Sequence, residues 1–341
     1  MARRATIHDL AIRAGVSVST IDRILNGRAG VRQATAMRVL AAAEELSFYA
    51  LPAIRERLQQ TGPRPRLGFL LQQSQRNLYR SIGAALRQAA ADNPTPIEVV
   101  VEHMDDLSPE SVAARMLRLG AEVQALAVVS AEHALVTQAI ETLAGKGVMT
   151  YGLISDLTAA CGVGYFGLDN WRVGRTAGWA VAGLSRGPGR VGILMGNHRY
   201  RCQEANESGF RSYCREHGTE LVILEPLQTF EDKSIARDVT GQLLRREPDL
   251  AGLFICGGGV AGVLEALGER GRARPIVAVG LDLTEHTRMG LIGGLLSMVI
   301  AHPLAQLAAT AVAEMCRDIS SGQGTPARRV LGFEIFTPEN V

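Results

Sequence analysis

A chain of 341 residues, 47% hydrophobic and 21% charged, is too long for one ordinary domain and carries enough apolar residues for sizeable cores. No run approaches the roughly 18 apolar residues of a membrane helix, and the opening MARRATIHDLAI has no apolar h-region or small-residue cleavage site, which argues for the cytoplasm. The formal charge of +2 is uneven: residues 1–66 hold eleven arginines against five acids, a local balance of +6, which leaves −4 for the remainder. A basic end on a mildly acidic body fits either a polyanionic partner or a solvated face. Cys161, Cys202, Cys214, Cys256 and Cys316 have no metal or redox spacing and read as reduced thiols.

Thr6 can cap a first helix, with Asp9 completing a capping box, and Ile7, Leu10, Ala11 and Ala14 form its apolar stripe. Gly15 ends it. Ser17 can cap a second helix, Val18 to Leu25, stopped by Asn26-Gly27. At 100° per residue Thr20, Ile21, Ile24 and Leu25 share one side of this helix, and Val18, Ser19, Asp22 and Arg23 share the other. A third helix spans about Gln33 to Leu46. YALPAIRERLQQTGPRPR (49–66) reads as a linker with one marginal helix between its prolines.

From Leu67 the text alternates strands with helices. RLGFLLQ, IEVVV, ALAVVS and VMTYGLIS come first, and after a break near Phe166–Asn170 RVGILMG, LVILEP, GLFIC and IVAVGLD follow. LLSMVIA, a helix of about Pro303–Ser320 and RRVLGFEIF close the chain. Such alternation implies parallel sheets covered by helices, and about ten strands favour two lobes.

Enzyme signatures are missing. There is no GxxxxGK[ST], GxSxG or HExxH, and the seven histidines stand apart. GGGVAG (257–262) resembles a phosphate cradle, but it sits late in its sheet and reads better as a tight strand–helix turn. No cofactor or metal is expected. The front segment is more specific: a helix, a glycine turn and a second helix with an outward polar face form a helix-turn-helix pattern. Arg23 can fork onto guanine, Ser19 can serve any base and Val18 can touch a thymine methyl, while Ser17, Asn26 and Thr35 suit phosphates.

Residues 6–50 resemble the DNA-binding head of the lactose-repressor (LacI/GalR) family. The matching residues include Thr6, Asp9, Ala14-Gly15-Val16-Ser17, Thr20, Arg23, Leu25-Asn26-Gly27, Val31 and Thr35. The resemblance implies an all-α helix-turn-helix head over 1–48 and a hinge over 49–65. It also implies an α/β two-lobed, periplasmic-binding-protein-like (type I) effector domain over 66–341. It places Thr6, Ser17, Val18, Ser19, Arg23, Asn26, Val31 and Thr35 at the DNA. Asp22 is less usual in the family. The resemblance makes Leu58 the candidate minor-groove wedge, although Leu58 equally suits packing against its twin in a dimer.

In the body, GLDNWRVG (167–174) matches the family's crossing segment, with Asp169 and Gly174 in place. Asp282 of VGLD matches a strand-end aspartate that binds ligand hydroxyls, and Tyr79 and Asp156 fall at cleft-lining positions; Tyr79 would stack on a sugar ring or belong to the core. Two departures stand out. Asn206 occupies the place of an arginine that grips ligand, and Gly257-Gly258 replaces an Asn-Asp pair. Arg199 or Arg201 would then supply the missing charge, and the ligand would carry a carboxylate or phosphate. The whole implies a homodimeric transcriptional regulator, a repressor rather than an activator, that binds a double-stranded operator and answers to a small effector, most simply a sugar or sugar derivative. A transport-type solute-binding protein and an α/β enzyme acting on a small carbohydrate are the alternatives.

Overall fold

The computed structural model describes residues 5–26, 31, 33–54, 64–185, 187–269, 275–322 and 325–341. Leu58 lies outside them. Contacts divide the chain into a small unit, Met1–Pro65 with Asn93–Glu98, and a large one, Arg66–Asp92 with Val99–Val341.

In the small unit, α1 (Ile7–Ala14) begins at a reciprocal capping box. Thr6 Oγ1 accepts from the Asp9 N–H at 3.2 Å, and Asp9 Oδ2 accepts from the Thr6 N–H at 2.8 Å. Gly15 closes it at φ 63°, a left-handed conformation that glycine adopts without a Cβ penalty. Ser17 caps α2 (Val18–Leu25), and α3 (Gln33–Glu45) follows. Leu10, Ile21 and Val39 are fully buried together with Phe48 and Ile54. Ile54 belongs to a helical turn over 51–54, inside the segment expected to be linker. The physical reason is that α1–α3 supply few large side chains, so the next apolar residues of the chain are drawn into the same core.

The large unit has two lobes. The first is a six-stranded sheet in the order β12-β5-β4-β3-β1-β2, from β1 (Arg66–Gln72), β2 (Glu98–Met104), β3 (Ala125–Val128), β4 (Met149–Leu153), β5 (Gly164–Leu168) and β12 (Arg328–Leu331). Helices α4 (Asn77–Ala91), α5 (Pro109–Gly120) and α6 (Ala134–Ala144) connect its strands.

The second lobe is built from β6 (Gly189–Met195), β7 (Leu221–Ile223), β8 (Leu227–Gln228), β9 (Leu250–Ile255), β10 (Val277–Leu281), β11 (Met298–Ala301) and β13 (Glu334–Phe336). Their order is β13-β11-β10-β9-β6-β7, with β8 also on β6. Its helices are α7 (Asn170–Leu184), α8 (Arg201–Glu216), α9 (Lys233–Arg246), α10 (Val260–Glu269) and α11 (Glu285–Ile292), while α12 (Leu304–Ser321) returns to pack on α4 of the first lobe.

Three crossings therefore join the lobes: β5 to α7, β11 to α12, and β12 to β13. RRVLGFEIF, which reads as one closing stretch, is two strands in different sheets. β12 pairs parallel with β5 and β13 antiparallel with β11. Alternation along RRVLGFEIF cannot reveal this split, because each strand takes its partner from a remote segment.

Helix α7 carries no plain apolar stripe because, Val173 and Val181 apart, its buried residues are the glycines and alanines at 174, 177, 178 and 180. Asp169 caps it, accepting from the Arg172 N–H at 3.1 Å. A Cβ on Gly174 would stand 1.9 Å from the Asn206 carbonyl oxygen, and one on Gly209 would stand 2.1 Å from that of Trp171. The backbones of α7 and α8 are thus in direct contact, and glycine is what permits it.

Candidate functional sites

On α2 the exposure divides as the spacing predicts. Ile21 and Ile24 are buried, Thr20 and Leu25 are half-buried, and Val18, Ser19, Asp22 and Arg23 are exposed. The Ser17 hydroxyl lies 2.8 Å from Ser19 Oγ and 2.9 Å from Thr20 Oγ1, which fixes the start of the helix. Asn26 Nδ2 donates to Asp22 Oδ1 at 2.8 Å, so an amide expected at phosphate is tied to the one acid on the exposed face. Val31 packs partly against the core, and Thr35 is half-buried in the first turn of α3. The arrangement can present a forked guanidinium, a hydroxyl and a methyl-bearing side chain together to a groove.

The second site is a cavity of about 410 Å³ between the lobes, at the C-terminal ends of the strands. From the first lobe, Arg76 reaches across it: Nη1 lies 2.7 Å from Glu231 Oε2 and donates to Gln72 Oε1 at 3.1 Å, while the guanidinium sits 4.9 Å over the Tyr79 ring. Beside it, Gln72 Nε2 donates to the Tyr200 hydroxyl oxygen at 2.7 Å, a second bridge between the lobes. From the second lobe, Gln203 fixes Glu231 by donating from Nε2 to Oε1 at 2.8 Å, and its own Oε1 accepts from the Gly196 N–H at 2.7 Å.

The backbone around this site is strained. Ile154, Glu231 and Asp282 line the cavity at φ 66°, 61° and 60°, and Phe230 precedes Glu231 at 50°. Each such non-glycine residue costs about 1–3 kcal/mol, a cost that persists only where the surrounding structure fixes the geometry. Gly257 and Gly258 also have a steric reason. A Cβ on Gly258 would lie 1.9 Å from Glu231 Oε2 and 2.6 Å from Arg76 Nη2, and one on Gly257 would lie 2.1 Å from the Gly196 nitrogen. Gly258 leaves room for the carboxylate–guanidinium pair, and Gly257 lets its backbone lie against that of Met195 and Gly196.

Burial works to raise the Asp282 carboxyl pKa, but charge and hydrogen bonding from His302 outweigh it and hold the group below the usual carboxylate range. Burial pushes the Cys202 thiol up to about 12, so it stays protonated at neutral pH.

Of the residues singled out in the sequence, Tyr79, Asn206 and Asp282 line the cavity. Asn206 is buried, and its Oδ1 has no hydrogen-bond partner among the described residues. Asp156 and Arg201 do not line it. The Asp156 carboxylate is taken by Arg328 of β12, at 2.7 and 3.1 Å, and Arg201 is exposed, 3.6 Å from Glu132. Arg76, Glu231, Gln72, Tyr200 and His302 were not legible. Arg76 and Glu231 are far apart in the chain, and only lobe packing brings them together.

Fold and sites together define a class: a DNA-binding head joined to a two-lobed ligand-binding body. The family description "Bacterial regulatory proteins, lacI family" matches residues 6–50, and "Periplasmic binding protein domain" matches residues 67–323. The chain carries a lacI-family helix-turn-helix domain at its front, and its body belongs to the periplasmic binding protein domain family. Among its relatives, the maltose regulon regulatory protein MalI of Escherichia coli is 53% identical over 47 residues, 14% of either chain. The HTH-type transcriptional regulator GntR of Pseudomonas aeruginosa is 26% identical over 276 residues, 77% of this chain and 75% of that one. A solute-binding protein of an ABC transporter from Agrobacterium vitis, bound with α-D-tagatopyranose, superposes with a TM-score of 0.74 at 19% identity, over 82% of this chain and 96% of that one.

Proposed function

We propose that this regulator reads a near-palindromic operator as a homodimer through the exposed face of α2 and releases or binds it in answer to a carbohydrate effector held between the lobes. The carrying observation is the exposed set Val18, Ser19, Asp22 and Arg23 on a helix anchored at Ser17. Arg23 supplies the base fork, Ser19 and Val18 adjust it, and Thr6, Ser17, Asn26, Val31 and Thr35 flank it along the backbone of the duplex. Leu58, in the hinge expected over 49–65, is the proposed minor-groove wedge. Two copies related by a two-fold axis would meet two half-sites.

A carbohydrate is supported by the cavity's polar side chains beside an aromatic ring, by the maltose regulon in MalI's name, and by the sugar in the solute-binding neighbour. Tyr79, Asn206 and Asp282 are the proposed ligand contacts. Effector binding would change the lobe arrangement through the three crossings, and operator affinity would follow by the coupling free energy. No chemical step is needed, and the reading is of a cytoplasmic regulator rather than an enzyme; among the described residues no helix is long and apolar enough to cross a membrane.

The test is selection of bound duplexes from a random pool, followed by titration of the winner with and without sugars. A two-fold-related consensus whose affinity falls with salt, and shifts with a sugar, is expected. Salt-independent retention of unrelated sequences would defeat the reading.

A further inference from the structure

Arg76 of the first lobe lines the cleft, and its charge is already neutralised by Glu231 of the second. Arg76 spends Nη1 on Glu231 and Gln72, and among the described residues Nε and Nη2 make no hydrogen bond. Two donors of a planar fork therefore remain beside the Tyr79 ring, in the cavity wall. The partner of that fork is not a casual surface ion. The Glu231 side chain is 6% exposed, it is held by Gln203, and its backbone is left-handed at φ 61°. Its slot is bounded by Gly196 and Gly258, where a Cβ would come within 1.7 and 1.9 Å of its oxygens. A carboxylate fixed this firmly cannot step aside for a second one.

Histidines aside, the remaining charges of the described lining residues add no free cation. Lys233 is paired with Glu265 at 2.6 Å, Asp232 caps α9 by accepting from the Ile235 N–H at 2.9 Å, and Asp282 Oδ1 is held by His302. The histidines aside, two cations stand against three carboxylates among the described lining residues.

Building on the carbohydrate reading, we infer that the cleft takes an uncharged polyhydroxylated ligand, gripped through hydroxyl oxygens by the Nε–Nη2 side of Arg76, and that Glu231 is the residue that rejects acids. An anionic ligand would place a second carboxylate against one guanidinium, beside Asp282, in a site where like charges are poorly screened. A neutral sugar or polyol meets no such penalty. The same geometry accounts for Gly258: a larger residue would fill the space in which Glu231 and Arg76 meet.

The experiment compares matched probes on the full-length protein at pH 7.5: glucose, galactose and myo-inositol against glucuronate, galacturonate and gluconate, by calorimetry and thermal shift. Wild type should bind at least one neutral probe at least about tenfold more tightly than its acid counterpart. E231Q keeps the side chain's length and removes its charge, so the acid-to-neutral ratio of dissociation constants should fall by about tenfold or more. R76Q should weaken both sets. Acids binding wild type as well as or better than neutrals would overturn the inference while leaving the carbohydrate reading intact. An unchanged ratio in a folded E231Q would also overturn it. Binding of no probe from either set would remove the carbohydrate reading and this inference together. Should E231Q not fold, the wild-type comparison decides alone.

Discussion

Asp282 and His302 stand at the ends of neighbouring strands β10 and β11, and a single oxygen of the aspartate serves the backbone nitrogen and Nδ1 of the histidine. Oδ1 accepts from the His302 backbone N–H at 3.0 Å and from Nδ1–H at 2.7 Å. Asp282 holds a left-handed backbone at φ 60° to do so. The pair ties the end of β10 to the end of β11, which leads into the second crossing between the lobes.

This pair has a pH signature. The folded-state pKa of Asp282 is lowered, so the folded protein keeps the carboxylate charged where the unfolded chain, near 3.8, takes up a proton. The stabilisation is fully present above about pH 4 and is lost as pH falls through the lower folded-state value. D282N should therefore be less stable than wild type at pH 7, by about 1–3 kcal/mol, with the gap narrowing in acid. Urea unfolding at pH 7 and at pH 3 measures both; a gap that widens in acid would contradict the assignment.

Gly257 and Gly258 should answer differently to the same change. In G257A the new Cβ would meet backbone at Gly196 and Met195, and a loss of about 1–3 kcal/mol is expected. In G258A it would meet the ends of Glu231 and Arg76, so stability should change less while sugar binding is lost. Thermal melts and calorimetry on the two variants separate these outcomes.

Arg23 should dominate the DNA contact. R23A is expected to lose about 1–3 kcal/mol of operator affinity and to relax the preference at one base pair of each half-site. S19A should cost less. Binding assays on the selected operator and on its single-base variants report both effects, with the melting curve as a control for folding.

Gly174 should govern the seating of α7. G174A pushes a methyl into the Asn206 carbonyl, 1.9 Å away, and should destabilise the second lobe by about 1–3 kcal/mol without touching the small unit. D169A, which removes only the cap, should cost about 1 kcal/mol. Differential scanning calorimetry of the two variants ranks them.

Much of this protein is written locally. The capping box at Thr6, the left-handed Gly15, the Ser17 cap and the two faces of α2 follow from residues within a few positions of one another, because helix starts, stops and stripes are short-range physics. The strand–helix alternation of the body is local in the same sense. Three things were settled only by the folded chain. RRVLGFEIF divides between two sheets because each half finds a partner strand more than thirty residues away in sequence. Helix α7 builds most of its buried face from glycine and alanine, whose role is visible only once the α8 backbone lies against it. The Arg76–Glu231 pair, with the glycines that make space for it, joins segments whose proximity no spacing rule encodes, since closing such a distance is the work of the two cores and not of the residues that meet.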